Sequence, residues 1–385
     1  MPSLSASLNS KLPKVGPTIF TKMSALATHE KAINLSQGFP DFECAPQLIE
    51  LVHEAMKSGL NQYAPMAGLP ALREKIAEKT AFLYGGKYNP ETEITITAGA
   101  TQAIFTAIAS TVNEGDEVII FTPAYDCYEP AIELVGGKPV YVQLKDPNYK
   151  INWEEVKKVI NQRTKMIIIN SPHNPTGSIL SKKDLAELEK LTMQSNMLVL
   201  SDEVYEHIVF DSEKHNSVAA FPNLAERSFI ISSFGKTYHT TGWKVGYCLA
   251  PAELMKEFRK THQYNVFSVN TPVQAAYAKF LDNRDAYLEL SAFYQEKRDL
   301  FRKLVEGSNF TLKPAQGSYF QLLGYENISD EADVDFAIRL TKEFKVASIP
   351  VSVFYNKKVD HKVLRFCFAK QNSTLEEAAA ILNKL

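Results

Sequence analysis

The sequence predicts an α/β fold built on a mainly parallel sheet that helices cover on both faces. Three observations lead to this prediction. Short apolar, β-branched runs recur between about residues 69 and 250, and each has the length of a buried strand. Segments with apolar residues at helical spacing separate these runs. Polar clusters follow several of the runs, at the positions where such sheets bind ligands.

The elements of this region follow one another in a regular order. Leu69, Leu72 and Ile76 recur at helical spacing and predict the first helix. Ser181, followed by Asp184 three residues later, has the pattern of a capping box and predicts a helix start between two strands. The predicted strands cover residues 93–96, 117–121, 139–144, 165–170, 197–201, 228–233 and 245–250.

The pattern changes towards the C-terminus. Residues 271–308 predict a helical stretch. The elements predicted beyond it are strands at residues 319–323 and 363–368 and amphipathic helices at about 333–344 and 374–384. This mixture is typical of a smaller α+β domain. We therefore expect an N-terminal segment, residues 1–45, that packs with the small domain, a large domain over residues 46–280 and a small domain over residues 281–385.

Composition and charge narrow the class of function. Of 385 residues, 45% are hydrophobic and 22% are charged, which is typical of a globular protein. With 42 basic and 44 acidic residues, the net charge of −2 gives no electrostatic reason to bind nucleic acid or an acidic membrane. The four cysteines form no C-x-x-C pair, and no metal motif is found. Without a secretory signal or an apolar stretch of spanning length, a cytoplasmic protein is expected.

Two polar clusters combine turn residues with groups that can bind a ligand. Thr97-Ala-Gly-Ala-Thr-Gln102 follows a strand and opens an apolar helix, where small residues and free N–H groups favour a phosphate. A plain tight turn is the alternative. Asn170-Ser-Pro-His-Asn-Pro-Thr-Gly177 contains two X-Pro steps that fix an irregular loop. Asn174 can donate its amide to a ligand oxygen there, although a rigid turn explains the segment equally well.

Two further clusters carry charged side chains at strand ends. Asp202 follows a buried strand directly, with Tyr205 three residues later. A carboxylate at that place needs a partner such as a metal, a cation or a protonated ring nitrogen, unless it only caps a helix. Lys236 follows the next strand among small and aromatic residues, with Lys244 eight residues later. Such a pocket lowers the pKa of a lysine enough for Schiff-base chemistry, whereas a lone lysine is more often solvated.

One ligand would use all four clusters: a phosphorylated aromatic aldehyde with a ring nitrogen and a phenolic oxygen, pyridoxal 5′-phosphate. Lys236 would form a covalent imine with its aldehyde. Asp202 would keep the ring nitrogen protonated, so that the ring acts as an electron sink. Asn174 and Tyr205 would bind the phenolic oxygen. The residues expected at the phosphate are Gly99, Ala100, Thr101, Gln102, Ser233 and Lys244.

The combined motifs resemble the signature of the class I/II (fold-type I) aminotransferases. The resemblance is carried by Asn174-Pro-Thr-Gly177, Asp202-x-x-Tyr205, Ser233-x-x-Lys236 and Arg365, in that order along nearly the whole chain. Residues 34–41, 61–68 and 233–247 are more closely similar to bacterial methionine aminotransferases and the related kynurenine/glutamine aminotransferases. The resemblance implies a seven-stranded, mainly parallel sheet in a large domain, a smaller α+β domain and transamination.

The same resemblance implies further roles at individual positions. Arg365 would bind the α-carboxylate of the substrate, a task that suits a bidentate guanidinium, with Gly38 and Asn174 beside it. Tyr125 would stack on the cofactor ring. Tyr63 would reach the phosphate of a neighbouring subunit, so that a homodimer is expected. A surface charge, a core aromatic residue and a packed tyrosine are the structural alternatives for Arg365, Tyr125 and Tyr63.

Two observations bear on the substrate. Many class I members carry an arginine where this chain has Lys244, and a lysine is usual among the methionine/kynurenine-type relatives. No arginine near the N-terminus or Tyr63 offers a second cationic pocket, so we expect methionine, an aromatic amino acid, glutamine or kynurenine as donor. The aromatic residues proposed to line the pocket are Phe20, Phe39, Tyr63, His173, Tyr264, Phe267 and Phe354.

The expected reaction is a ping-pong exchange of an amino group between an amino acid and a 2-oxo acid. A cysteine-conjugate C–S β-lyase is the alternative, because it uses the same fold, cofactor and Lys236. A non-catalytic regulatory module on this fold is a second alternative. The presence of Lys236 and the short, polar N-terminal segment argue against that module.

Overall fold

The computed structural model describes residues 8–193 and 195–385, so residues 1–7 of the predicted N-terminal segment lie outside the described range. The strands are β1 (Ile33–Asn34), β2 (Ile94–Thr97), β3 (Glu117–Thr122), β4 (Lys138–Gln143), β5 (Thr164–Asn170), β6 (Leu198–Asp202), β7 (Ser228–Ser233), β8 (Gly246–Leu249), β9 (Thr311–Leu312), β10 (Phe320–Gly324), β11 (Val346–Ala347), β12 (Ile349–Pro350) and β13 (Val363–Cys367).

The helices alternate with these strands along the chain. They are α1 (Ile19–Glu30), α2 (Pro46–Lys57), α3 (Pro70–Tyr84), α4 (Ala100–Thr111), α5 (Tyr128–Leu134), α6 (Trp153–Val159), α7 (Lys182–Met193), α8 (Pro222–Ala225), α9 (Phe234–Thr237), α10 (Ala252–Asn265), α11 (Thr271–Phe280), α12 (Asp285–Leu288), α13 (Leu290–Val305), α14 (Asp333–Glu343) and α15 (Asn372–Leu382). The predicted helical stretch 271–308 is therefore three helices, α11 to α13.

The central sheet has seven strands within the described residues, in the order β2-β8-β7-β6-β5-β3-β4. Strand β8 runs antiparallel to both of its neighbours, and all other neighbouring pairs are parallel. The mainly parallel seven-stranded sheet predicted from the sequence is confirmed. Each predicted strand end lies within one residue of the observed end, because buried apolar runs mark these strands clearly.

The register of the sheet brings three strand ends together. Asn170 at the end of β5 pairs with Asp202 at the end of β6, and Asp202 pairs with Ile231 near the end of β7. Because parallel strands end at one edge, the polar residues that follow them share one region of the surface. The region lies beside the start of α4, which packs on this sheet.

The predicted capping box is present at the start of α7. The Ser181 hydroxyl accepts a hydrogen bond from the Asp184 N–H at 3.2 Å, and the Ser181 N–H donates to Asp184 Oδ2 at 2.8 Å. Two N–H groups that the helix itself leaves unpaired are thereby satisfied.

A second, four-stranded sheet has the order β12-β13-β10-β9 and is antiparallel. Helices α13, α14 and α15 share a hydrophobic core with it, and this core also takes Met23 and Leu35 from the N-terminal segment. Helix α1 packs on α14, and β1 pairs with β11. Strand β13 carries Arg365 towards the edge of the large sheet.

In the described part of the chain, we find no helix that combines the length and the apolar character needed to cross a membrane.

Candidate active site

A cavity of about 310 Å³ opens at the carboxyl ends of β5, β6 and β7, and its volume is in the range of small-molecule binding sites. It brings together residues from both sheets and from the N-terminal segment. The predicted site residues that line it are Gly38, Gly99, Ala100, Thr101, Tyr125, Asn174, Asp202, Tyr205, Ser233, Lys236, Lys244 and Arg365.

Two predicted site residues do not line the cavity. The side chain of Gln102 folds back on its own helix, where it accepts from the Ala98 N–H at 3.0 Å and donates to Thr106 at 2.6 Å. A side chain at the third position of a helix reaches back towards the helix start. The Tyr63 side chain is 81% exposed and packs edge-on against Phe267. Its predicted contact is with the site of a neighbouring subunit.

Of the predicted aromatic lining, one residue lines the cavity within this chain. Phe20 lines the cavity, whereas the other six proposed residues do not. Phe39, Tyr264 and Phe267 are exposed, and His173 is buried in a loop behind the cavity. Phe354 packs behind Phe20 with a ring-centroid distance of 5.8 Å. Their positions in the sequence gave no information on which side of the backbone each ring would take.

Lys236 lies on α9, a single turn that directly follows β7. Its Nζ atom donates to the Gly38 carbonyl oxygen and to the Tyr319 hydroxyl, both at 2.7 Å. Tyr319 in turn donates to the Gly38 oxygen. Burial lowers the pKa of Lys236 to about 8, and the nearby Arg365 adds to this lowering. The lysine therefore has a substantial neutral fraction near physiological pH, which a nucleophile or general base requires.

Asp202 is 4% exposed at the end of β6. Its Oδ2 atom accepts from the Tyr128 hydroxyl at 2.5 Å, and its Oδ1 atom accepts from the Val204 N–H at 3.3 Å. Asn170 Nδ2 holds the Asp202 backbone oxygen at 2.9 Å. Burial raises the pKa of this carboxyl to about 6. A cationic group in the cavity would favour the ionised form and lower this pKa again.

Arg365 is 1% exposed, and its guanidinium lies 3.8 Å from the centre of the Phe320 ring. Its Nη1 donates to Asn174 Oδ1 at 2.7 Å, and its Nη2 donates to the Ser36 carbonyl oxygen at 3.0 Å. The Nε–H has no hydrogen-bond partner among the described residues. A buried cation with unused donors that lines a cavity is suited to binding a carboxylate.

The start of α4 closes one end of the cavity. Gly99 is the N-cap with φ of +78°, and no side chain caps the helix, so that its first N–H groups stay open. A Cβ atom on Gly99 would meet Lys244 Cδ at 3.3 Å, and a Cβ atom on Gly246 would meet the Ser232 oxygen at 2.6 Å. Glycine is therefore needed at both positions for the backbone to lie this close. Open N–H groups beside Lys244 and Ser233 are suited to binding a phosphate.

Sequence reasoning missed several residues of the site. Tyr319 contacts the Lys236 amine, Phe320 stacks on Arg365, and Tyr128 binds Asp202. All three lie inside ordinary apolar or mixed runs, so no local pattern distinguishes them from core aromatics.

The arrangement has a definite chemical capacity. A lysine with a lowered pKa, a buried carboxylate, an open helix start and an arginine converge on one cavity. These groups can together hold a ligand that carries an aldehyde, a ring nitrogen and a phosphate, next to a substrate carboxylate.

Comparisons with known proteins agree with this geometry. Residues 30–382 match the family model "Aminotransferase class I and II". The chain is 49% identical to the methionine aminotransferase of Escherichia coli strain K12, over 98% of both chains. It is 36% identical to the kynurenine–oxoglutarate transaminase of Dictyostelium discoideum, over 96% of this chain and 94% of the relative. A solved structure of an Escherichia coli protein with methionine aminotransferase function matches with a TM-score of 0.97 and 48% identity, covering 99% and 100% of the two chains.

Proposed function

The chain belongs to the class I and II aminotransferase family and is a pyridoxal 5′-phosphate-dependent amino acid aminotransferase. We propose that its preferred amino donors are methionine and other amino acids with neutral side chains. One observation carries this proposal. Among the described lining residues, the cations are Arg365, Lys236 and Lys244, and each has another proposed role. An acidic donor would need a further cation for its side-chain carboxylate.

The residues of the cavity fit the cofactor. The glycines at 99 and 246 leave the backbone accessible at the helix start, as a phosphate requires. Burial destabilises the negative charge of Asp202, and a protonated ring nitrogen would stabilise that charge. The Lys236 amine opens into the same cavity. When bound, pyridoxal 5′-phosphate supplies an electron sink that stabilises negative charge at the donor's Cα atom.

We assign the contacts to this cofactor as follows. Lys236 would bond covalently to the aldehyde carbon, and Asp202 would hold the ring nitrogen. Tyr125 would stack on the ring. The residues proposed at the phenolic oxygen are Asn174 and Tyr205, and those at the phosphate are Gly99, Ala100, Thr101, Ser233, Lys244 and, through its backbone alone, Gln102.

The chain's own residues then carry out the amino-group exchange. Arg365 binds the α-carboxylate of the donor, and its contacts with Phe320 and Asn174 keep the guanidinium oriented. After the donor's amine has displaced it, Lys236 Nζ would take the proton from the donor's Cα atom and deliver it to the cofactor carbon to which the lysine was bonded, since its lowered pKa keeps the amine available as a base. The 2-oxo acid product leaves before the second 2-oxo acid enters, which makes the reaction ping-pong.

We further propose that the active form is a homodimer in which Tyr63 reaches the phosphate of the neighbouring site. The support is the position of this side chain, which is 81% exposed beside the half-exposed Phe267. Light scattering should give twice the chain mass, and Tyr63→Phe should weaken cofactor binding about fivefold. A monomer with full activity would contradict this proposal.

The division of the chain at residues 45/46 and 280/281, and a location in the cytoplasm, are proposals as well. The division is supported by a second hydrophobic core that unites parts of residues 8–45 with helices α13 to α15. The neutral charge balance and the free cysteines support the location.

The donor proposal is tested by titrating the purified holoenzyme with single amino acids in the absence of an oxo acid. Methionine, glutamine and the aromatic amino acids should discharge the visible absorption band of the cofactor about 100-fold more efficiently than aspartate. Aspartate as the best donor would contradict the proposal. Pyruvate accumulating from a cysteine conjugate without any oxo acid would indicate the C–S β-lyase reaction instead.

A further inference from the structure

Tyr128 is a buried residue that the reaction described above does not use. It is the first residue of α5 and is 3% exposed. It does not line the active-site cavity, so it contacts neither the substrate nor the cofactor position. Its hydroxyl nevertheless donates to Asp202 Oδ2 at 2.5 Å, a distance typical of a strong hydrogen bond to a charged oxygen.

The other contacts of Asp202 are weaker or act on its backbone. The Val204 N–H reaches Oδ1 at the long distance of 3.3 Å, and Asn170 holds the backbone oxygen. The short contact to the carboxylate is therefore the one from Tyr128. Helix α5 and the end of β6 are 74 residues apart in the chain, so this contact is a product of the tertiary fold.

We propose that Tyr128 is a positioning residue of the transamination reaction, whose hydroxyl fixes the Asp202 carboxylate and favours its ionised form. The proposal rests on the proposed role of Asp202 at the ring nitrogen. Tyr128 acts through Asp202: by holding one oxygen of the carboxylate, it fixes the rotation of the group and keeps a negative charge available for the protonated ring.

The charges around Asp202 set the direction of the expected pH effect. Burial raises the pKa of Asp202 to about 6, and the hydrogen bonds from Tyr128 and Val204 act against this rise. Glu203 raises this pKa further, and Lys236 lowers it. The other titratable groups that interact with the carboxyl are Cys127 and Tyr125, whose own pKa values are raised by burial, so both stay neutral.

Loss of the Tyr128 hydroxyl should therefore raise the pKa of Asp202 further. Since the carboxylate is ionised only above its pKa, the acidic limb of the pH profile of kcat/KM should move to higher pH. The expected shift in Tyr128→Phe is about one pH unit. Near pH 5, below both pKa values, we expect kcat to fall about tenfold, because the ionised fraction of Asp202 falls in that proportion, while the donor KM changes less than about twofold.

The experiment compares wild type, Tyr128→Phe, Asp202→Asn and the double variant. Tyr325→Phe is the matched control, because it removes one fully buried hydroxyl with one hydrogen bond, to the Glu331 oxygen, far from the cavity. Two readouts are taken across pH: kcat/KM with methionine, and binding of pyridoxal 5′-phosphate to the apoprotein by quenching of tryptophan fluorescence. Circular dichroism establishes that each variant is folded.

The outcomes separate the two proposals. We expect the single variant Tyr128→Phe to show a shifted acidic limb. We also expect the double variant to be no worse than Asp202→Asn, because without the Asp202 carboxylate the tyrosine has nothing to act on. An unshifted limb in Tyr128→Phe, or losses that add in the double variant, would overturn the role of Tyr128 while leaving that of Asp202 intact. An Asp202→Asn variant equal to wild type in both readouts would overturn the proposed role of Asp202 itself.

Discussion

The segment from Asp202 to Glu206 has two sides that differ in how completely their polar groups are hydrogen-bonded. Asp202 and Tyr205 face the active-site cavity. Glu206 faces away from it, into a cluster that we call the rear network. Its members are Lys79, Tyr84, Glu206, Ser232 and Tyr247.

In the rear network, both charged groups are hydrogen-bonded to several partners. Glu206 Oε1 accepts from Lys79 Nζ at 2.7 Å and from Ser232 at 2.5 Å, and Oε2 accepts from Tyr84 at 2.7 Å. Although burial acts to raise the pKa of Glu206, Lys79 and these hydrogen bonds hold the pKa below its usual range. The ion pair is therefore permanently charged and serves the fold.

The cavity side leaves comparable groups incompletely satisfied. Arg365 has an unpartnered Nε–H among the described residues. Burial lowers the pKa of Lys236 and raises the pKa of Asp202, which favours the uncharged form of each group. Such groups reduce stability until a ligand pairs with them. Within one five-residue segment, the residues that face the cavity are available for ligand binding, whereas Glu206 on the opposite side stabilises the fold.

Lys236→Ala should give the largest effect on the cavity side. Turnover with methionine should fall about 10⁴-fold because the base and the covalent anchor are lost. Stability in urea should stay equal or rise, since a buried cation is removed. Noncovalent cofactor binding should persist. An activity within tenfold of wild type would remove Lys236 from its proposed role.

Lys79→Met should give the converse result on the rear side. Leaving Glu206 buried without its cation should lower the free energy of unfolding by about 3 kcal/mol, measured by urea denaturation. The kcat of the folded enzyme should change less than about tenfold. Lys75→Met is the matched control on the same helix; its partly exposed pairs with Glu78 and Asp282 should cost less than about 1 kcal/mol. A Lys79→Met variant that loses turnover but keeps its stability would contradict the structural role of the rear network.

The pH dependence of lysine reactivity should distinguish the buried cavity lysine from a partly exposed lysine of the surface. Because only a neutral amine reacts, arylation of Lys236 in the apoprotein by trinitrobenzenesulfonate should accelerate about 50-fold from pH 6 to pH 8 and level off above about pH 9. The hydrogen bond to Asp282 raises the pKa of Lys75, whose rate should keep rising beyond pH 9. Peptide mass spectrometry measures both residues in one sample. Parallel curves for the two lysines would contradict the lowered pKa.

Arg365→Lys should give the smallest of these effects. The charge is kept while the bidentate fork is lost, so the KM for methionine should rise about 30-fold with a smaller change in kcat. Methioninol, which lacks the carboxylate, is the control ligand and should bind both enzymes equally. An unchanged KM for methionine would mean that the carboxylate lies elsewhere.

Much of this architecture was predictable from the sequence. The strands of the large sheet are continuous apolar runs, and Lys236, Asp202 and Asn174 lie at or shortly after strand ends. Their convergence at one sheet edge is therefore a consequence of parallel topology. The aromatic lining was not predictable: of the seven aromatic residues proposed from their places near motifs, only Phe20 lines the cavity within this chain. An aromatic side chain satisfies the core, the surface or a pocket equally well.

The sequence by itself therefore determined the order of strands and helices and the residues proposed to carry the chemistry, since both depend on local periodicity and on residue type. The tertiary structure alone decided which of these residues meet: Asn174 with Arg365, Tyr128 with Asp202, and Lys79 with Glu206. These pairs are separated by 191, 74 and 127 positions in the chain. The physical reason is that a hydrogen bond depends on distances of about 3 Å, which only the packing of the finished fold sets.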